Sequence, residues 1–386
     1  MLASAEKRSS ASRSGESTGA ARLSTPLVSV ILVCRCEAEH IQSVLESILR
    51  QEEPSGGMEI IVADGLSEDG TRRILEGVAD SEPRVRVIDN PARITSPGLN
   101  AAIRAARGQI IIRMDAHTHY APDYIRQCVA VLESTGADNV GGPWVAQSTG
   151  FLGEAIAAAF QSRFAVGGAR GHQPRYEGLV DTVYLGCWRK QAFEKFGNFD
   201  ENLVRNQDDE HNLRIARGGG RIWQSPKIRC WYHSRTSIKG LFHQYMQYGY
   251  WKVQVIRRHK VPASVRHLVP GAFLLSLLLL VLALDLCLIT LPFVPPGSPT
   301  FLGLTLARKF SAGCLASILV AYGLALMLAS AHAARRTRWA LLPILPLVFS
   351  CYHLGYGWGF LRGILDFAVF RRGASAVFTQ LTRISP

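Results

Sequence analysis

Residues 110–120 read IIIRMDAHTHY, an apolar, branched run that breaks off at Asp115, Ala116 and His117. Such a run closed by polar groups predicts a buried parallel strand whose carboxyl end opens into a crevice, where α/β sheets bind ligands. Asp115 and His117 stand two residues apart, so in extended chain both side chains point to one face. That spacing suits a metal pair, although a strand that merely ends in a polar loop reads the same way.

Upstream, strands and helix-spaced segments alternate. LVSVILVC, residues 27–34, predicts a first strand, and 37–49 predicts a helix with Ile41, Val44, Leu45 and Ile48 on one stripe. MEIIVADG is a second strand ending in Asp64, with a helix at 72–78 and a third strand at 84–88. Pro97-Gly98-Leu99-Asn100 opens a helix that runs to Ala106, and Gly108 stops it. This order predicts a mostly parallel, doubly wound α/β sheet whose strand ends bring Glu37, Asp64 and Asp115 together.

Downstream, the pattern predicts helices at 123–133, 151–166, 190–196 and 206–216, and strands at 138–145 and 182–187. Residues 167–178, GGARGHQPRYEG, are glycine-rich and basic, either a mobile loop closing over substrate or an ordinary surface connection. The helix at 206–216 begins with Asp208, Asp209 and Glu210. Acids complement the helix dipole there, but three adjacent ones exceed what capping needs.

The chain has 386 residues, a net charge of +13 and a mean hydropathy of +0.10, which averages two unlike parts. A mixed, charged region at 26–236 is followed by an aromatic and basic interfacial segment at 237–267 and an apolar region at 268–366. Three membrane helices are expected, at 268–294, 310–331 and 339–360, the first carrying Asp285. The cations Arg257, Arg258, Lys260 and Arg266 precede the first span, and Arg335, Arg336 and Arg338 lie between the second and third. Both clusters favour a membrane partner over nucleic acid and a cytoplasmic catalytic domain. Arg308, Lys309, Arg371 and Arg372 fit three simple crossings less well. The scattered cysteines suit free thiols in a reducing compartment, and residues 1–25 and 367–386 are read as tails, the first disordered.

The ordered motifs resemble glycosyltransferase family 2, whose members carry a nucleotide-diphospho-sugar fold of the type called GT-A. The resemblance spans about residues 26–260. VSVILVCRCEAEHI resembles the family's first strand and turn, with Glu37 where an acid often stands and Cys34 and Cys36 where many members have Pro and Asn. IIVADGLSEDGT implies that Asp64 contacts the base or ribose, and PGLNAAIRAARG implies that Asn100 shapes the nucleotide pocket. MDAH takes the place of the Asp-x-Asp metal motif, so Asp115 and His117 would hold Mn2+ or Mg2+, and imidazole favours manganese. GCWR at 186–189 and FEKFGNFD at 193–200 resemble an acceptor-side segment. In NQDDE, Gln207 replaces the family's Glu, Asp208 matches the catalytic base, Asp209 is its competitor one register away, and Glu210 matches a later acid. Gln244, Tyr248, Trp251 and Lys252 resemble the Gln-x-x-Arg-Trp region that packs over acceptor and diphosphate. Lys252 or Arg235 would contact phosphate or lie on a solvated membrane face. His233 is an extra metal ligand or a structural residue.

The chain looks most like the succinoglycan-biosynthesis subgroup of membrane glycosyltransferases, which extend lipid-linked saccharides. The resemblance implies inverting transfer from a nucleoside-diphosphate sugar to a polyprenyl-diphosphate-linked saccharide, in cell-surface or exopolysaccharide synthesis. It implies a multi-pass cytoplasmic-membrane protein, with membrane lipid and other polysaccharide-assembly proteins as partners. Transfer to polyprenyl monophosphate, which needs no base, and a non-catalytic nucleotide-sugar-binding subunit stay open.

Overall fold

The computed structural model describes residues 27–380, so the expected tail at 1–25 lies outside the described residues. The branched runs form strands because their side chains are buried on both faces of a sheet, and the stripe-patterned segments form the helices that cover it. The order is β1 (Val28–Cys34), α1 (Ile41–Leu49), β2 (Met58–Asp64), α2 (Thr71–Ser81), β3 (Val85–Asp89), α3 (Thr95–Ala105) and β4 (Ile110–Met114). There follow β5 (Thr118–Tyr120), α4 (Tyr124–Thr135), β6 (Asn139–Gly142), β7 (Val145–Gln147), α5 (Gly150–Phe160) and α6 (Arg163–Val166). The sheet-bearing half closes with β8 (Gly178–Leu179), β9 (Tyr184–Arg189), α7 (Gln191–Phe196), α8 (Gln207–Arg217), β10 (Ile222–Gln224) and β11 (Cys230–His233). Five helices end the chain: α9 (Ile238–His259), α10 (Val269–Thr290), α11 (Pro299–Arg336), α12 (Leu345–Gly363) and α13 (Ala376–Thr379).

Eight strands make one sheet in the order β3-β2-β1-β4-β9-β6-β10-β8. The first four run parallel, and β9 lies antiparallel between β4 and β6. Along β1, Val30 and Leu32 pack toward α1 and α4, whereas Ile31 packs toward α3, so the sheet is covered on both faces as expected. Each fully buried branched side chain contributes roughly 1.5–3 kcal/mol. A second sheet, β5-β11-β7, stands over the strand ends. The strand expected at 138–145 is therefore two, β6 and β7, divided between the sheets.

The segment at 167–178 is tied down as a connection. Gln224 Nε2 donates to the carbonyls of Gln173 and Tyr176, at 3.0 and 3.3 Å, and Gly171 is buried within a short 3-10 turn. Two helical segments, Val265–Phe293 and Pro299–Arg336, are long and apolar enough to cross a bilayer. The stretch expected as a third span begins as a 3-10 turn and becomes α12, which buries Val348, Phe349, Tyr352 and Phe360 against the protein. Its glycines give it a packing face, so it lies along α9. A Cβ at Gly359 would stand 1.8 Å from the Met246 carbonyl oxygen, and one at Gly249 would stand 2.0 Å from that of Tyr356. Backbone thus meets backbone through small residues spaced four apart, Gly355, Gly359 and Gly363. Arg338, just past α11, pairs with Glu154 on α5 at 3.1 Å, returning that helix to the sheet-bearing half. The expected carboxyl-terminal tail also docks: the Phe378 ring stacks on Tyr250 with centroids 3.8 Å apart.

Candidate active site

At the carboxyl ends of β1 and β4 lies a cavity of about 1150 Å³. Its floor carries Arg35, Glu37, Asp115 and His117, and its far wall carries Arg205, Gln207, Asp208, Asp209, Tyr248 and Lys252. After Met114 the strand breaks into a turn at Ala116–His117, so Asp115 and His117 are not related by extended chain. Tyr120 fixes that turn: its hydroxyl accepts from the Asp115 amide at 2.6 Å and donates to the Asp115 carbonyl at 3.1 Å.

Arg113, the one cation in the apolar run of β4, joins two of the expected site residues. Its Nε and Nη2 donate to the two carboxylate oxygens of Asp115 at 3.1 Å, and its Nη1 donates to Asp208 at 2.5 Å, 95 residues away in sequence. The guanidinium is buried, and despite burial Asp115 and Asp208 hold its pKa above the usual value. Burial pushes the Asp208 carboxyl above the usual carboxylate range; Arg113 pulls it back and Asp115 adds to the rise. Its neighbour is the reverse. Burial pushes Asp209 up, but Lys252, which donates to it at 2.5 Å, leaves its pKa lowered. Successive residues of a helix point about 100° apart. From the first turn of α8, Asp208 therefore looks to the sheet and Asp209 to α9.

His117 and Glu37 meet at 2.9 Å. Because the carboxylate can only accept, Nε2 carries the proton and Nδ1 faces away from Glu37, an arrangement that orients an imidazole for a metal. Asp115 and His117 each keep 31% of the side chain exposed. One carboxylate and one imidazole fit a divalent cation whose other positions go to phosphate oxygens and water. Among the described residues no group of three or more His, Cys, Asp or Glu is gathered for a metal. His233 packs edge-on against His119 at 4.5 Å, and its amide donates to the His117 carbonyl.

Several expected residues sit elsewhere. Asp64 is buried at the end of β2 and accepts from Ser67 Oγ at 2.5 Å and Ser67 N at 3.2 Å, bracing the turn rather than lining the cavity. Asn100 is buried under α3, where its amide exchanges hydrogen bonds with the Phe199 backbone at 2.9 and 3.0 Å. Trp251 faces away from the cavity and donates to the Phe378 carbonyl at 2.9 Å. Glu210 is fully buried between Arg214 and His259. Gln244 does line the cavity, donating to the hydroxyls of Tyr232 and Tyr248 at 3.0 Å each. Lys252 and Arg235 are buried cavity residues, not part of a solvated face.

The sequence reading passed over Arg113, Arg205, Tyr232 and His172, all of which line the cavity. An arginine amid four apolar neighbours in β4 was the available signal, because a buried cation needs acids beside it. His172 gave none. Burial, with Arg266 nearby, lowers its pKa to about 3, so it is neutral at physiological pH.

Residues 29–196 match the pattern of the family described as Glycosyl transferase family 2. The chain is 32% identical over 247 residues to the succinoglycan biosynthesis protein ExoA of Rhizobium meliloti, covering 63% of this chain and 74% of that one. A Methanococcus voltae dolichyl N-acetyl-alpha-D-glucosaminyl phosphate 3-beta-D-2,3-diacetamido-2,3-dideoxy-beta-D-glucuronosyltransferase is 23% identical over 346 residues, covering 88% of this chain and 97% of its own. In fold, the chain matches the mannosyltransferase PcManGT of Pyrobaculum calidifontis, solved with GDP-Man and Mn2+, with a TM-score of 0.52. Identity there is 18%, over 86% of this chain and 87% of that one.

Proposed function

The chain belongs to glycosyl transferase family 2, and from that membership we propose that it transfers one sugar from a nucleoside-diphosphate sugar to a polyprenyl-diphosphate-linked saccharide during cell-surface or exopolysaccharide synthesis. The observation that carries this reading is the single guanidinium of Arg113 held between Asp115 and Asp208. It sets a carboxylate for the donor's diphosphate and a carboxylate for the acceptor on one cavity.

In this reading Asp208 is the general base. Its raised pKa suits proton capture from the acceptor hydroxyl as that oxygen attacks the anomeric carbon opposite the diphosphate, which inverts configuration. Asp209 is an ion-pair partner for Lys252, not a second base. Asp115 and His117 would hold Mn2+ or Mg2+, whose charge offsets that developing on the leaving diphosphate. Arg35, Glu37 and the end of β1 receive the nucleotide, with Asp64 and Asn100 bracing the walls behind it. Two bilayer-length helices and the dolichyl phosphate in the name of the Methanococcus relative support a lipid-linked acceptor at a membrane. Two crossings, rather than three, keep Arg335, Arg336, Arg338, Arg371 and Arg372 on the catalytic side, as a positive cytoplasmic flank requires.

Purified protein given a panel of nucleotide sugars, Mn2+ and lipid-linked saccharides should release nucleoside diphosphate only when the acceptor is present. Donor binding without turnover across the whole panel would mark a non-catalytic subunit instead.

A further inference from the structure

The cavity does not end at the acids. Its wall passes from Asp208 and Asp209 to α6, then to the first turns of α10 and the faces of α11 and α12, through Phe164, Phe273, Tyr322, His353 and Tyr356. Three properties meet at this end. Its surface is aromatic: Phe273 and Tyr322 lie 4.7 Å apart, as do Phe164 and His353. The seam is pinned by His353, whose Nε2 donates to the Phe164 carbonyl at 2.8 Å while Nδ1 accepts from the Tyr322 hydroxyl at 3.0 Å. It is also rich in cations. Arg163, Lys252 and Arg266 line it, beside a His267 that burial keeps neutral; Lys252 is matched by Asp209 and Arg266 by Asp181. Arg163 is exposed, and has no acidic partner among the described residues. Finally, His267 Nδ1 and Tyr356 Oη are buried polar atoms without a hydrogen-bond partner among the described residues. Such atoms cost stability unless a ligand satisfies them.

We propose that this membrane end is the binding site of the acceptor's polyprenyl diphosphate. Arg163, Arg266 and Tyr356 take the phosphate oxygens, and the seam of Phe164, Phe273 and Tyr322 takes the first isoprene units. The site rests on the lipid-linked acceptor proposed above. The occupant follows from the chemistry: an anion is needed at the cations, an apolar chain at the rings, and α10 begins at this mouth with its leucines facing outward. A free phosphate would leave the aromatic seam uncovered. A neutral lipid would leave Arg163 and Tyr356 unmatched.

The test uses the full chain in nanodiscs. Arg163→Gln should raise the KM for a polyprenyl-diphosphate-linked saccharide about tenfold or more, leaving kcat, the donor KM and transfer to the same saccharide on a short phosphate-free alkyl chain unchanged. In parallel, geranylgeranyl diphosphate should compete with the lipid acceptor and quench tryptophan fluorescence, whereas inorganic diphosphate should do neither at the same concentration. Phe273→Ala should weaken that competition while keeping the melting temperature. An unchanged lipid KM in Arg163→Gln, or equal competition by inorganic diphosphate, would overturn the site. Failure of the wild-type chain to use any lipid-linked acceptor would overturn the acceptor reading. In that event the geranylgeranyl diphosphate quench alone decides the site.

Discussion

Asp208 and Asp209 are adjacent in sequence and occupy opposite worlds. Asp208 looks to the sheet, where Arg113 reaches it from β4 and strand hydrogen bonds fix that strand beside β1. Asp209 looks to α9, where Lys252 reaches it from a helix positioned by α12. The first setting is built from ladders with backbone partners along their whole length, and it raises a carboxyl pKa. The second is built from helices whose backbones touch, and it lowers one. One helical turn thus holds two ion-paired carboxyls whose pKa values are pushed in opposite directions, and on the proposed mechanism that environment, not the identity of the acid, assigns their roles.

The contrast breaks first at Asp208. Asp208→Asn should lower kcat by about 10²–10⁴-fold with the donor KM unchanged, whereas Asp209→Asn should act mainly through folding and acceptor binding. Equal losses of kcat in both would erase the distinction. Next is Arg113→Met, which leaves two carboxylates facing each other without their shared cation and should cost about 3–5 kcal/mol in chemical denaturation. The sign of its pH effect is fixed. If Asp208 is the base proposed above, activity needs it ionised, and the acid limb of kcat/KM falls as pH drops through a pKa above the usual range. Removing Arg113 removes the lowering influence and leaves burial and Asp115, which both raise it, so the limb should move to higher pH. A shift to lower pH would show that another group controls the limb.

On the helical side, Gly359→Val forces a branched side chain against the Met246 carbonyl and should cost about 1–3 kcal/mol in a detergent melt. It should also raise the acceptor KM more than the donor KM. An equal rise in both would mean that the two ends of the cavity are not separately built. The smallest effect belongs to the proposed cation site: His117→Asp should shift the preference from Mn2+ toward Mg2+ by about tenfold, read from metal titrations of binding and of turnover.

The strand end of the cavity was legible in sequence because strand periodicity and terminal carboxylates are local signals. β1 to β4 fell where the apolar runs stood, and Asp115, His117, Glu37, Asp208 and Asp209 meet in one cavity. The resemblance also assigned Asn100 and Trp251 to the site, whereas in the fold their polar atoms are used by the Phe199 and Phe378 backbone. The helical end was hidden for a different reason. Whether α12 faces lipid or protein depends on which glycines oppose a carbonyl, and hydropathy does not register that. Short strands such as β10 and β11, three and four residues long, carry too little pattern to be read without their partners.

The glycine seam has a mechanical meaning. Side chains between helices act as a cushion that can repack when one helix slides, and at Gly249 and Gly359 there is no cushion. A displacement of α12 is therefore a displacement of the α9 backbone, which carries Gln244, Tyr248 and Lys252 along the cavity wall. On the proposed reading, α10 and α11, which pack on α12, are coupled through that backbone contact to the wall that takes the acceptor, so a push on the two apolar helices is felt at the cavity.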